Sequence, residues 1–439
     1  KFMWKKDPSS GGAFSLMGQS WSKPTLGKIR GHYDTATRQH KPVAIFAGGY
    51  DPSFDYDYGS IEDVNGVDTA TYPRVSGLNR GATIGLGVYV LDLLSGDLVR
   101  WFGPTTIEGG ATNAFSGWDG SASYKTDETQ MRFAIPSDLV GLNVDLDTRG
   151  YIDTAFVGDM GGQLWRLNFD PMDPAQWNVR KIANLNGDLT LNASVVADND
   201  LPRAIFYPPA VVKDSDHLKV VVGTGAQELP LLTQTQDVVA MIKDSNTTID
   251  PEQAVVAGDG SLRSPVTYLN SSLDGLESAL VDRPFNELTA IPDDYDEVLT
   301  AQIAKVASSS VKGWVSRLAL GEKVTGAPQV FNWWSTVPTW TPTLALNACT
   351  PAGLGRLRVF DAKAGAAAIV ELEDEQGGSR LAFKTTLGPS ARGYVDNSTL
   401  IFEDGEVRRL VNADGVTAQQ SMNMQGVVET EYWYRELEN

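Results

Sequence analysis

One element returns along this chain and limits what it can fold into. A short apolar run ends in glycine, and a second run reads apolar–aromatic–apolar and closes on Asp or Asn. Val43-Ala-Ile-Phe-Ala-Gly-Gly49 leads to Gly87-Val-Tyr-Val-Leu-Asp92 and the turn Ser95-Gly96. Thr154-Ala-Phe-Val-Gly-Asp159 leads to Gln163-Leu-Trp-Arg-Leu-Asn168, and Lys219-Val-Val-Val-Gly-Thr-Gly225 leads to Asp237-Val-Val-Ala-Met-Ile242. A later copy is Gly355-Arg-Leu-Arg-Val-Phe-Asp361, followed by Ala364-Gly365. Runs this short, rich in β-branched and aromatic residues and bounded by Gly and Asp, are strands; buried helices need more length. Length alone suggests about three domains for 439 residues, but β architectures run longer as one unit. With 43 Gly and 22 Pro, the chain is rich in turns rather than long helices.

Repeated antiparallel units of uneven spacing predict an all-β fold: a modified β-propeller of antiparallel blades with loop inserts, in one domain over residues 1–439. The alternatives are one large β-sandwich or two stacked all-β domains. Two inserts interrupt the rhythm. Residues 51–79 are polar and acidic, and residues 243–312 form a partly helical insert. In the second, Asp294-Tyr-Asp-Glu297 resembles a capping box, and Val298, Leu299, Ile303 and Val306 have the spacing of one amphipathic helix through about Ala307. The Ser308-Ser-Ser310 run ends it.

Charge and cysteine usage exclude several functions. The formal charge of −19 opposes nucleic-acid binding and docking on anionic lipid. Cys349 is the single cysteine, so internal disulfides, Cys-rich zinc sites and CxxCH haem attachment are ruled out. Three histidines are too few for a His-rich metal site. No run of about eighteen apolar residues spans a bilayer. The opening Lys1-Phe-Met-Trp-Lys-Lys has no apolar core of a signal peptide and reads as the middle of something, a fragment or processed product.

The strongest chemical signal is Asn143-Val-Asp145-Leu-Asp147-Thr-Arg149-Gly150-Tyr151-Ile152-Asp153. Hard cations take six to eight oxygens, and carboxylates alternating along a loop can converge on one point. With Asp145 as position 1, Asp147 is position 3, Gly150 is position 6, the Tyr151 carbonyl is position 7 and Asp153 is position 9. Glycine at position 6 permits the sharp turn. Ile152 packs inward and anchors the loop to the strand that follows. Arg149 falls at position 5, where an oxygen ligand is expected, and a guanidinium cannot coordinate a cation. Three arrangements follow. Arg149 swings out while water or Asn143 completes a calcium site; or its guanidinium replaces the metal among Asp145, Asp147 and Asp153; or the segment is a plain acidic turn. A second cluster, Asp55, Asp57, Glu62, Asp63, Asn65 and Asp68, lacks ordered spacing and reads as a solvated loop.

Several segments, in order over nearly the whole chain, resemble one family. They are Leu16-Met-Gly-Gln-Ser-Trp-Ser-Lys-Pro24, Pro42 through Asp51, Asp145 through Asp153 with Gly158-Asp159 and Leu164-Trp-Arg166, Ile205-Phe-Tyr-Pro-Pro-Ala210, Val222-Gly-Thr-Gly225, Gly313-Trp314 with Gly321-Glu-Lys-Val324, Gly355-Arg-Leu357 and Trp433-Tyr-Arg435. Together they are similar to the C-terminal propeller domain of the PilY family, surface proteins tied to type IV pilus assembly, retraction control and adhesion. The resemblance implies a non-enzymatic, extracellular or cell-surface module at the pilus tip. Its implied partners are minor pilins or the pilus tip, with a host or abiotic surface receptor. It implies calcium held by Asp145, Asp147, the Tyr151 carbonyl and Asp153, with Arg149 departing from the family's pattern. It also implies that the family's N-terminal domain and first blade or blades lie outside this sequence, leaving the propeller incomplete here.

Two other readings compete. A quinoprotein-like propeller dehydrogenase shares Trp-rich blades, but the adjacent Cys pair that often stacks on the quinone is absent. A carbohydrate-binding or hydrolytic propeller would need two carboxylates facing each other across a channel. Trp333, Trp334 and Trp340 either mark a binding face or fill blade interfaces.

Overall fold

The computed structural model describes residues 3–52, 82–104, 131–144, 150–185, 203–244, 300–342 and 353–422, with short breaks inside several of these ranges. The 51–79 insert lies almost wholly outside the described residues, and the second acidic cluster lies wholly outside them. Most of the 243–312 insert lies outside as well, but Thr300, Ile303, Ala304, Val306 and Ala307 are helical.

Strands form four antiparallel sheets in chain order, each with up-and-down connections. The first blade contains β1 (Thr25–Tyr33), β2 (His40–Ala47), β3 (Val88–Asp92) and β4 (Leu98–Phe102). The second contains β5 (Val140–Leu142), β6 (Thr154–Gly158), β7 (Gln163–Asn168) and β8 (Asn178–Asn184). The third contains β9 (Ala210–Lys213), β10 (Leu218–Gly223), β11 (Val238–Asp244) and β12 (Gly313–Arg317). The fourth opens with an edge split into β13 (Lys323–Val324) and β14 (Gln329–Phe331), both pairing β15 (Trp334–Pro342), and continues with β16 (Gly353–Asp361). A hairpin of β17 (Ala368–Glu373) and β18 (Ser379–Lys384) intervenes before its last strand, β19 (Thr386–Arg392). A three-stranded sheet of β20 (Thr399–Glu403), β21 (Glu406–Ala413) and β22 (Val416–Met422) follows. Its strands pair in register from Glu403↔Glu406 to Thr399↔Leu410 and from Ala413↔Val416 to Val407↔Met422.

The recurring sequence element is the central strand pair of each blade: β2 with β3, β6 with β7, β10 with β11, and β15 with β16. All residues of β3, β6, β7, β10 and β11 are buried, because a blade is covered on both faces. That is why these runs are largely apolar rather than strictly alternating. Alternate residues still serve alternate seams. Val43, Ile45, Val88 and Val90 pack with Ala155, Val157, Trp165 and Leu167 between the first two blades. Phe156 and Leu164 turn the other way, toward Leu218, Val220 and Val222 of the third blade. Val337 and Phe360 of the fourth join the same cluster. Sheets stacked in chain order through shared cores are the blade architecture of a β-propeller.

Two devices repeat from blade to blade. The segment entering one blade bonds to the end of the second strand in the blade before. Gly49 N–H donates to Ile135, Ile205 N–H to Asp159, and Val324 N–H to Thr224. The third strands end on Asp92, Asn168, Asp244 and Asp361. In three of them the side chain accepts the N–H two residues on, from Leu94, Asp170 and Lys363. Two of these turns are capped by tryptophan in the same way. Trp4 Nε1 donates to Leu93 O and Trp314 Nε1 to Ala362 O, each carbonyl one residue past the Asp. The rings cover Gly96 and Gly365, where an added Cβ would lie 2.6 and 2.8 Å from indole atoms. Both glycines also have positive φ, so no other residue suits the position.

Among the described residues, no helix is long and apolar enough to cross a membrane.

Candidate functional site

The acidic loop leaves the second blade after β5 and returns into β6. Asp145, Asp147 and Arg149 lie outside the described residues, so the structure places the neck of the loop rather than its tip. On the return side, Gly150 has φ 66° with open space around its Cα, the left-handed backbone that a sixth-position glycine supplies. Tyr151 is buried and its ring lies 4.7 Å from the His40 ring of β2. Ile152 donates its N–H to Lys28 O and its side chain packs over Gly27 and Gly141, whose missing side chains make the room. The loop exit is thereby fastened to the first blade.

Asp153 closes the neck. Its N–H donates to Leu142 O at 3.0 Å, its carbonyl accepts Phe169 N–H at 2.7 Å, and its carboxylate accepts Val144 N–H at 3.0 Å. The side chain is buried, so charge around it matters. Arg166, from β7, is near enough for its guanidinium to be stabilised by the Asp153 charge. Burial pulls Arg166 below its usual range, and Asp244 and Asp153 hold it up, so it remains charged. It donates to Asp244 at 2.5 Å, and Arg180 donates to the other oxygen of the same carboxylate at 3.1 Å. On the entry side, Lys213 Nζ at the end of β9 donates to Val144 O at 2.6 Å.

Among the described residues, no three His, Cys, Asp or Glu side chains stand close enough together to hold a metal. Two of the three predicted carboxylates lie outside those residues. The described half of the loop holds a left-handed glycine, Gly150, and a buried carboxylate, Asp153, that accepts the Val144 N–H. Arg166 and Lys213 are the residues that the sequence argument missed. An arginine between Trp165 and Leu167 was the available signal, since a charge in a buried strand must find a partner.

Asp159 is the other buried acid nearby. Its carboxylate accepts Gly161 N–H, Gln163 N–H and Trp165 Nε1–H, each at 2.8–2.9 Å, and so shapes the turn between β6 and β7. Burial pushes it up to about 7, against the pull of those donors and of Lys181.

The tryptophans divide. Trp340 is buried in the fourth blade, whereas Trp333 and Trp334 are half-buried. Phe331 pairs with Trp334, and Trp333 lies in the turn between β14 and β15. Trp333 has φ 65°, a backbone region where glycine is usual. Lys219 and Lys363, from the third and fourth blades, place their ammonium groups 4.6 and 4.7 Å from its ring.

Segments that carry the family resemblance converge at one end of the blades. Gly18 and Gln19 pair with Gly48 and Tyr50, and Trp21 stacks on Tyr50 at 4.6 Å beside Phe206. Side chains at Gly18 or Gly49 would strike backbone oxygen at 2.1 Å. Ile205 crosses Gly158 and bonds to Asp159, and Gly225 bonds to Ala204.

No protein-family model and no curated protein matches the chain. Among solved structures it is similar to the C-terminal domain of PilY1 from Pseudomonas aeruginosa, with 14% identity over 92% of this chain and 73% of that one, at a TM-score of 0.48. It is also similar to the quinohemoprotein alcohol dehydrogenase ADHIIG from Pseudomonas putida HK5, with 12% identity over 74% of this chain and 35% of that one, at a TM-score of 0.29. BamB from Moraxella catarrhalis shares 10% identity over 67% of this chain and 85% of that one, at a TM-score of 0.16.

Proposed function

We propose that this chain is the propeller of a type IV pilus-associated surface protein, acting without catalysis in pilus assembly, retraction control and surface adhesion. The observation that carries the reading is the ordered set of PilY-like segments. Those around residues 18–21, 48–50, 158–159, 205–206 and 225 meet at one end of the blades, as parts of a shared design would. The module works outside the cell or at its surface, with minor pilins or the pilus tip as partners and a host or abiotic surface as its further contact. In the same reading the acidic loop takes calcium through Asp145, Asp147, the Tyr151 carbonyl and Asp153. The ion neutralises and stiffens the loop; it performs no reaction. Blades stacked through close-packed cores offer a rigid platform for such contacts.

The test is retention of the purified chain on sheared pilus filaments carrying minor pilins, against filaments lacking them. Retention only on the former is expected. Equal binding to both, or a quinone absorbance band with alcohol turnover, would overturn the proposal.

A further inference from the structure

We propose that residues 3–6 form the last strand of a further blade, and that its open edge takes a β-strand from outside this sequence. The inference stands apart from the pilus and calcium readings.

The seams between blades carry it. In each, a side chain of one blade's last strand reaches the end of the next blade's third strand. Phe102 of β4 meets Phe169, one residue past β7. Arg180 of β8 donates to Asp244, the last residue of β11. Trp314 of β12 donates to Ala362 O, one residue past β16. At the first blade the same task falls to Trp4, which donates to Leu93 O, one residue past β3. The two tryptophan-capped turns also match each other: Gly96 N–H donates to Asp92 O at 2.9 Å, and Gly365 N–H to Asp361 O at 2.8 Å. Trp4 thus stands where the last strand of a preceding blade belongs.

Its neighbours behave as a strand edge. Met3 and Lys5 are exposed, whereas Trp4 and Lys6 are partly covered, with Lys6 Nζ 5.3 Å from the Phe14 ring. That alternation is the period of a strand. β12 is held to β11 from Val238↔Arg317 to Ile242↔Gly313, with Met241 opposite Trp314. Residues 3–6, by contrast, make no backbone hydrogen bond to any described residue. The inner end of the same side is open too. Ala134 and Ala204 each accept an N–H from their own blade, from Met160 and Gly225. The next residues, Ile135 and Ile205, are buried and bond to the blade before, at Gly49 and Asp159. In the first blade Gln19 accepts Tyr50 N–H, but the next residue, Ser20, is exposed and bonds to no described residue. An open edge of this kind is completed by main-chain pairing. The strand that fits has the chemistry of β11, largely apolar and β-branched. A second copy fits poorly, since edge-to-edge pairing would bring Lys5 and Lys6 of the two copies together.

The experiment extends the whole chain at its start with a copy of residues 237–244 followed by an Asn-Gly turn. That length sets the copied Met241 opposite Trp4, as Met241 stands opposite Trp314. Amide hydrogen exchange is followed at residues 3–6, Gly96 and Gly365. In the unextended chain residues 3–6 are expected to exchange freely, and Gly96 about tenfold faster than Gly365. The extension is expected to slow alternate amides of residues 3–6 about tenfold and to bring Gly96 to the level of Gly365. The same extension with proline in place of the copied Val239 and Met241 is expected to do neither. No slowing, or slowing by the proline extension as well, overturns the proposal. So does a hairpin that protects residues 3–6 but leaves Gly96 unchanged, because the strand has then formed away from the first blade. Residues 3–6 protected in the unextended chain at high dilution would show that the chain covers its own edge. Protection that rises with concentration, together with a dimer in sedimentation, would make a second copy the occupant. Either result overturns the outside source.

Discussion

The two seams of the second blade are built differently. Toward the first blade it closes with aromatic rings: Phe102 meets Phe169 edge-on at 5.9 Å, and Phe169 meets Trp177 at 5.5 Å. The ion pair on that side, Arg30 with Asp170, stays partly exposed at the rim. Toward the third blade an apolar core surrounds an ionic knot. Asp244 is fully buried and binds two guanidinium groups, one of them Arg166 at 1% side-chain exposure. An apolar seam stabilises through area and tolerates sliding. A buried ion pair adds little net stability, because desolvation offsets attraction, but it penalises every misaligned arrangement. The second seam is therefore the one that sets register, and it is also the one that reaches the acidic loop through Arg166.

That contrast can be broken experimentally. Asp244→Ala should have the largest effect, about 3–5 kcal/mol by denaturant unfolding, because it removes the buried carboxylate that Arg166 and Arg180 both bond. Replacing both members, Arg166→Met with Asp244→Leu, should recover most of that loss. A double variant as unstable as the single one would show that the knot contributes net stability.

Asp159 gives the next effect. It lies on the same side, bonded through its carbonyl to Ile205 at the entry to the third blade. Its folded value is raised to about 7 from 3.8, so the folded state binds the proton more tightly than the unfolded state. Its contribution is present at low pH and is lost as pH rises from about 4 through about 7. Unfolding free energy should fall by about 2–3 kcal/mol from this group between pH 5 and 8. In Asp159→Asn that part of the slope should vanish, and an unchanged slope would remove the raised acid from the account.

Smaller effects probe the repeated turns. Gly365→Ala forces a side chain into positive φ under Trp314 and should cost about 1–2 kcal/mol. Gly96→Ala beneath Trp4 should match it if the two caps are equivalent. The smallest effect is expected at Trp333→Gly, within about 1 kcal/mol of zero. Relief of the left-handed backbone there offsets the loss of two cation–π contacts. A large loss would mark the ring as the main tie between the third and fourth blades.

Much of the fold was legible. The central strands were readable because two-sided burial demands unbroken apolar runs, and their turns because Asp and Gly serve local hydrogen bonds and positive φ. Ile152 was readable as packing inward, but it fastens the loop exit to β1 of the first blade rather than to the strand that follows. The split edge of the fourth blade and the hairpin of β17 and β18 were not, since nothing local distinguishes them from ordinary strands. At the acidic loop, spacing located Gly150 at the turn, and the sequence offered Arg149 as the only internal cation. The structure brings in Arg166 and Lys213 instead at the neck, while Arg149 stands outside the described residues.

Local pattern thus determined which segments become strands and where they turn, because pleat, burial and turn chemistry act within a few residues. Only the tertiary structure decided which charges meet. Arg166 finds Asp244 across 78 positions and Lys213 finds Val144 across 69, through stacking of sheets whose spacing along the chain carries no mark of the encounter. Electrostatic partners depend on distance in space, and the order of residues records that only after the blades have packed.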